Sequence, residues 1–190
     1  LGFENKFVIT YVGAHGIANH LIQLIDAAEK LQNTDIVFQL IGSGMRKEFL
    51  QQEVLKRNLD NVIFRDPVPK SEVFKYILAS DAGTSVLKNV EAFKTIYSNK
   101  TFDYMSCKKP ILLAIDGVSR ELVEEAKCGF FVEPESSLCI ANIAKKMSSL
   151  DKCDLNQLGL NGYTYARENF DRVKLSKMYI QEIKAVINKK

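Results

Sequence analysis

Six short stretches of β-branched, aliphatic and aromatic residues recur along the chain, and helix-type patterning fills nearly every gap between them. The first stretch is Phe7-Val8-Ile9-Thr10-Tyr11-Val12. Gly13 and Gly16 follow, then an amphipathic segment from Asn19 to Leu31. This reads as strand, glycine-containing turn and helix, because the apolar period changes to about 3.6 after the glycines. Residues 35–41 repeat the pattern, with Gly42-Ser43-Gly44 as the turn and a helix over 45–57. Further strands are expected at 61–65, 81–87, 110–115 and 130–132. Helices are expected at 71–78 with Ser71 as N-cap, at 100–107, and from Ser119 as the cap of another. Residues 88–98 carry no pattern. From Ser136 onward the pattern is helical, and the final helix is expected over 171–187.

Strands that are apolar along their whole length belong to parallel sheets covered on both faces. Strands alternating with helices predict an α/β Rossmann-like, doubly wound parallel sheet of about six strands, with extra C-terminal helices. The order 3-2-1-4-5-6 follows by analogy. A chain of 190 residues suits a single domain, 1–190. The hydrophobic share of 46% excludes a disordered chain. Apolar runs such as Ile111 to Ile115 fall far short of the roughly 20 residues of a membrane-spanning helix.

The net charge is +3, with Lys and Arg interspersed among Asp and Glu, so nucleic-acid binding is not suggested. Lys108-Lys109 and Lys189-Lys190 read as solvated surface. Cys107, Cys128, Cys139 and Cys153 form no CxxC pair, and only His15 and His20 accompany them. No metal site is expected, and mostly buried free thiols in a reducing compartment account for the cysteines. The chain begins at Leu1 without a signal-peptide pattern, which leads us to expect a piece of a longer protein.

In an open parallel sheet, ligands bind beyond the carboxyl ends of the strands. The loops there span 13–19, 42–46, 65–70, 88–98 and 116–120. Gly13-Ala14-His15-Gly16 can cradle a phosphate with backbone N–H groups, or the glycines can serve only the turn. No Ser-His-Asp or Cys-His arrangement is legible. Glu121, Glu124 and Glu125 read as the charged outer face of a helix. Spacing alone therefore gives a nucleotide-binding α/β domain.

A set of motifs adds to this. Asn99-Lys100-Thr101-Phe102-Asp103-Tyr104-Met105-Ser106-Cys107-Lys108-Lys109-Pro110 resembles the N-K-x-[FY]-E-Y-M-A-x-G-K-P segment of bacterial family 4 glycosyltransferases. Tyr11-Val12-Gly13, Leu40-Ile41-Gly42-Ser43-Gly44 and residues 61–69 resemble further family segments in the same order. So do residues 81–87, Glu121-Leu122-Val123 with Gly129, and Tyr165 to Phe170. The resemblance implies the C-terminal, donor-binding half of a GT-B fold, in an enzyme of the capsule and O-antigen type. It implies a cytoplasmic protein, with any membrane contact peripheral and at the inner face. It also implies a nucleotide-sugar donor, a UDP-sugar being favoured, no metal or other cofactor, and a glycan or lipid-linked acceptor held by an absent half that carries the catalytic His. The final helix would cross to that half, so its apolar face would favour self-association here.

Carried over residue by residue, the resemblance places Gly13 and Gly16 at the donor diphosphate, with Ser43 beside them. Asp66, Pro67 and Val68 would face the base. Asp103 takes the position of the acid that binds the ribose, and Thr95 that of the acid contacting the sugar. Lys100 lies between these two, and it or His15 would supply the phosphate contacts. The departures are Ala14 and Asn19 where the family has Arg and Lys, His20 and Lys108 where it has Gly, and Thr95. They motivate the rival reading of a degenerate, non-catalytic subunit that binds a partner. A sugar-nucleotide 2-epimerase would need its own carboxylate and His constellation, which the sequence lacks.

Overall fold

The structure, a computed structural model, describes residues 3–187, so Lys189-Lys190 lies outside the described residues. Six strands form: β1 (Phe7–Val12), β2 (Ile36–Ile41), β3 (Val62–Arg65), β4 (Ala82–Val86), β5 (Ile111–Ala114) and β6 (Gly129–Phe131). All neighbours pair in parallel, in the order β3-β2-β1-β4-β5-β6, as the analogy predicts. The chain therefore leaves β1 and returns at β4 on its other side, which makes the β1/β4 boundary the switch point.

The connecting helices are α1 (Ile22–Glu29), α2 (Lys47–Lys56), α3 (Lys70–Leu78), α4 (Asn99–Ser106) and α5 (Val118–Glu125). After the sheet come α6 (Ser137–Ser149), α7 (Lys152–Asn169) and α8 (Arg172–Ile187). These helices fall on two faces of the sheet. One core joins α1, α2 and α6 to the sheet, and the other joins α3, α4, α5 and α7. The pleat is visible in β5, where Leu112 and Ala114 serve the first core and Ile111 and Leu113 the second. In β4, by contrast, Gly83, Thr84 and Ser85 are polar or small and still fully buried. Gly83 leaves room for the Tyr104 ring, since a Cβ there would stand 2.2 Å from it.

Several helix starts differ from the expectation. α1 begins at Ile22 rather than Asn19, because His20 adopts φ 47°, a left-handed conformation that a right-handed helix cannot contain. Ser71 lies inside α3, whose N-cap is Pro69. Ser119 lies inside α5 behind Gly117; its buried hydroxyl donates to the Ile96 carbonyl (2.9 Å) and accepts the Ser98 amide (3.2 Å). It ties α5 to the segment 88–98, which itself holds a 3-10 turn over Glu91–Thr95. Cys107 and Cys128 are buried, but Cys139 and Cys153 are exposed on helix surfaces, so the thiols are only half buried.

The positions of the two missing family glycines are also informative. His20 and Lys108 both have positive φ, 47° and 54°. Lys108 follows the last turn of α4 in a Schellman motif: its amide donates to Met105 O and the Lys109 amide to Tyr104 O, both at 3.0 Å. Lys127 after α5 and Asn58 after α2 repeat the arrangement. α8 has no buried residue, and Val173, Met178, Ile180, Ile183 and Val186 stand exposed along it. No helix among the described residues is long and apolar enough to cross a membrane.

Candidate functional site

The carboxyl ends of β1, β2 and β3 carry three loops that close on one another. The β1 loop is anchored to the β2 loop twice, by Gly13 N–H to Ile41 O (3.0 Å) and His15 N–H to Ser43 O (2.8 Å). The two backbones approach so closely that a Cβ on Gly42 would lie 1.9 Å from Gly13 O. Gly42 also holds φ 149°, so both space and conformation demand glycine there. Above these loops opens a cleft of about 280 Å³ whose lining includes Gly13, Ala14, Ser43, Pro67 and Val68.

α4 supplies the charge beside this cleft. Its orientation is fixed by Tyr104, fully buried, whose hydroxyl accepts Val12 N–H (3.1 Å) and donates to Thr84 O (2.9 Å). One side chain thus joins α4 to β1 and β4 across the switch point. The side chain of Lys100, in the first turn of α4, reaches Gly13: its Cε would stand 3.2 Å from a Cβ on Gly13, and its ammonium lies 5.1 Å from the Tyr11 ring centre. Burial draws the Lys100 ammonium down to about 8, with the Asp103 carboxylate pulling the other way. Ser98, ahead of the helix, makes no cap bond and instead pairs with Ser85 (2.7 Å).

Asp103 lies one turn further along and is held by Lys70, whose ammonium donates to it at 2.5 Å. It borders a larger hollow of about 730 Å³ between α4, α7 and α8, which also takes in Phe102, Tyr163 and Phe170.

The other expected site residues are placed differently. His15 is completely buried between Tyr11 and Phe64, ring centres 6.1 and 5.9 Å away, and neither ring nitrogen has a partner. Burial, aided by the Lys47 charge, holds its imidazole down to about 4, so it carries no positive charge at neutral pH. Asp66 is exposed and turned to Lys47, whose ammonium donates to it at 2.8 Å. That contact, made by the lysine's hydrogen bond and charge, lowers the Asp66 carboxyl below its usual value. Gly16 lines a separate cavity with Arg46 and Lys88. Thr95 is exposed at the end of the 3-10 turn, and its hydroxyl donates to Ala92 O (3.2 Å).

The structure therefore brings Gly13, Ser43, Pro67, Val68 and Lys100 together, with Asp103 on the next turn of α4. Gly42, Lys47, Lys70 and Tyr104 were not anticipated as positioning groups. Tyr104 had a signal in the sequence: an aromatic residue inside the one motif that carries both Lys100 and Asp103. Among the described residues no three His, Cys, Asp or Glu side chains gather in a way that would hold a metal ion.

Comparison with known proteins follows the same lines. The family model of glycosyl transferases group 1 matches residues 1–164. Among solved structures, Anabaena Alr3699/HepE in complex with UDP-glucose superposes with a TM-score of 0.83 at 22% identity, over 97% of this chain and 50% of that one. Sucrose-phosphate synthase from Thermosynechococcus elongatus gives 0.81 at 18% identity, over 97% and 47%. The C-terminal domain of the Francisella tularensis glycosyl transferase LpcC gives 0.73 at 21%, over 88% of each. The chain thus spans about half the length of the first two proteins and most of the third. A search of curated proteins finds no match. The chain belongs to the group 1 glycosyl transferases, and its fold is the Rossmann-like C-terminal domain of the GT-B architecture.

Proposed function

We propose that this chain is the nucleotide-sugar-binding domain of a retaining glycosyltransferase that moves a hexosyl or amino-sugar residue in surface polysaccharide assembly. The observation that carries the reading is the cleft at the switch point. Gly13 and Ser43 line it, and the Lys100 side chain reaches Gly13 from the first turn of α4, a combination suited to a diphosphate. Pro67 and Val68 offer the base an apolar edge, and Asp103 offers the ribose a carboxylate once Lys70 moves aside. UDP is the favoured nucleotide, since the HepE structures hold UDP or UDP-glucose. The helix end and Lys100 can stabilise the leaving diphosphate without a metal. The acceptor and the catalytic His belong to the other half of the full enzyme, so the chain alone binds donor without transferring sugar. We place the enzyme in the cytoplasm, any membrane contact being peripheral and at the inner face.

Calorimetric titration with UDP, GDP, ADP and CMP tests this. UDP should bind best, and Lys100→Met should weaken it. Absence of binding by any of the four, to this chain and to the full-length protein alike, would overturn the reading. The second reading, a degenerate partner-binding subunit, draws on Thr95, where a hydroxyl turned back on its own turn replaces a carboxylate. Nucleotide binding by the full protein with no transfer to any acceptor would favour it. In the isolated chain, the exposed apolar face of α8 should promote self-association; sedimentation showing a monomer at every concentration would exclude that.

A further inference from the structure

The two faces of β1 and β2 are built from different chemistry. Ile9, Tyr11, Phe38 and Leu40 belong to the first core. On the α3 side the same strands place Thr10 and Gln39, which are register partners and just as completely buried, and Ser80 lies buried beside them. These polar groups form one chain of hydrogen bonds with a fixed direction. The Arg65 guanidinium can only donate, so its Nε–H goes to Gln39 Oε1 (2.5 Å). That sets the amide, and Gln39 Nε2 donates to Thr10 Oγ1 (3.0 Å). The Ser80 hydroxyl donates to Tyr76 O (2.7 Å), which leaves the Thr10 hydroxyl to donate to Ser80 Oγ (2.5 Å). Each link polarises the next.

The chain begins and ends on the two stems of one loop. Arg65 closes β3 and Tyr76 lies in α3, with residues 66–69 running between these elements. The Tyr76 ring centre stands 5.5 Å from the Arg65 guanidinium, so the circuit closes on itself. Arg65 O is held as well, by the Gly42 N–H and the Lys47 ammonium, both at 3.2 Å. Pro67 and Pro69 restrict the backbone of the loop itself. A buried polar chain gains little net stability over an apolar layer such as the one on the opposite face. Its particular effect is to fix where the loop stands, and the loop gives the cleft its Pro67 and Val68 edge. None of Thr10, Gln39, Arg65, Tyr76 and Ser80 lines the cleft, so they act on it through the loop. We propose that Gln39 is a positioning residue for recognition of the nucleotide base. By fixing Arg65 it holds the Pro67 and Val68 edge at one distance from Gly13 and Ser43, and a cleft of fixed width selects a one-ring base over a two-ring one. The inference rests on the donor reading, in which that edge faces the base.

The test compares UDP with ADP, the latter by competition against UDP. Gln39→Met keeps the side-chain length and removes both of its hydrogen bonds. UDP affinity should fall about tenfold and ADP affinity less, so the preference for UDP narrows. Arg65→Met, at a half-buried strand end where folding is least at risk, should reproduce this. Gln39→Glu still accepts from Arg65 and from the Thr10 hydroxyl, and should retain the wild-type preference. A merely stabilising chain would lower both affinities together. In the free protein the Arg65 Nε–H resonance should be protected from solvent exchange in the wild type and in Gln39→Glu, and unprotected in Gln39→Met. Equal losses for UDP and ADP, an unchanged preference in both Met variants, or no rescue by Gln39→Glu would overturn the inference and leave the donor reading in place. No nucleotide bound by the wild-type chain or the full-length protein overturns the donor reading itself, and the base role with it.

Discussion

Positive backbone φ serves two regions of this molecule in opposite ways. In the loops above β1 and β2, Gly42 is locked by its neighbour: a Cβ there would collide with the Gly13 carbonyl at 1.9 Å. At the helix ends, Asn58, Lys108 and Lys127 take φ of 50°, 54° and 48° with their side chains exposed. The first region needs glycine for space as well as conformation, the second only for conformation. A left-handed L-residue costs about 1–2 kcal/mol, whereas glycine gives back roughly 0.5–1 kcal/mol in unfolded-chain entropy. Replacing a family glycine by Lys108 therefore costs little and leaves the fold intact. It is no sign by itself of a decayed site.

Breaking the first region should have the largest effect. Gly42→Ala combines a backbone collision with a conformation denied to alanine, so we expect a loss of ~3 kcal/mol in denaturant unfolding. Nucleotide binding should disappear with it; an unchanged unfolding midpoint would show that the two loops part easily.

The charge in the same region can be tested next, by pH. Burial depresses Lys100 to about 8, so its ammonium is charged below that value and neutral above it. UDP affinity should therefore fall as pH rises through about 8, and Lys100→Met should remove that step. Stability should move the other way. Above pH 8 the folded state releases a proton that the unfolded chain keeps until about 10.5. Folding thus gains in that window, and Lys100→Met should flatten the gain.

The smallest effect belongs to the second region. Lys108→Gly should stabilise by about 0.5–1 kcal/mol, the difference between the two costs above, and leave UDP binding unchanged. A destabilisation would mean that the Lys108 stem, with its ammonium 4.9 Å from the Tyr163 ring centre, contributes more than its backbone costs.

Most of the architecture was legible because strand and helix periods alternate along most of the chain. β2, with all six residues buried, is the clearest case. β4 shows the limit: Ala82-Gly83-Thr84-Ser85-Val86 is not an apolar run, and its burial depends on Tyr104 packing over Gly83. Helix starts were the weakest expectation, because Ser71 and Ser119 look like caps in sequence while Pro69 and Gly117 hold those positions in space. The cleft that forms the candidate site was legible where motif residues share one loop cluster, as Gly13, Ser43 and Val68 do. The motif was misleading for His15: a histidine in a glycine loop suggests a phosphate contact, but packing against Tyr11 and Phe64 buries it uncharged. The Lys70–Asp103 and Lys47–Asp66 pairs join residues 33 and 19 positions apart and leave no local trace in the sequence.

The most direct test of the account is the amide shift map of the chain with UDP. Perturbations gathered at Gly13, Ser43, Val68, Lys100 and Asp103, with Thr95 unmoved, are the predicted result. A map centred elsewhere, or one unaffected by Lys100→Met, would contradict it.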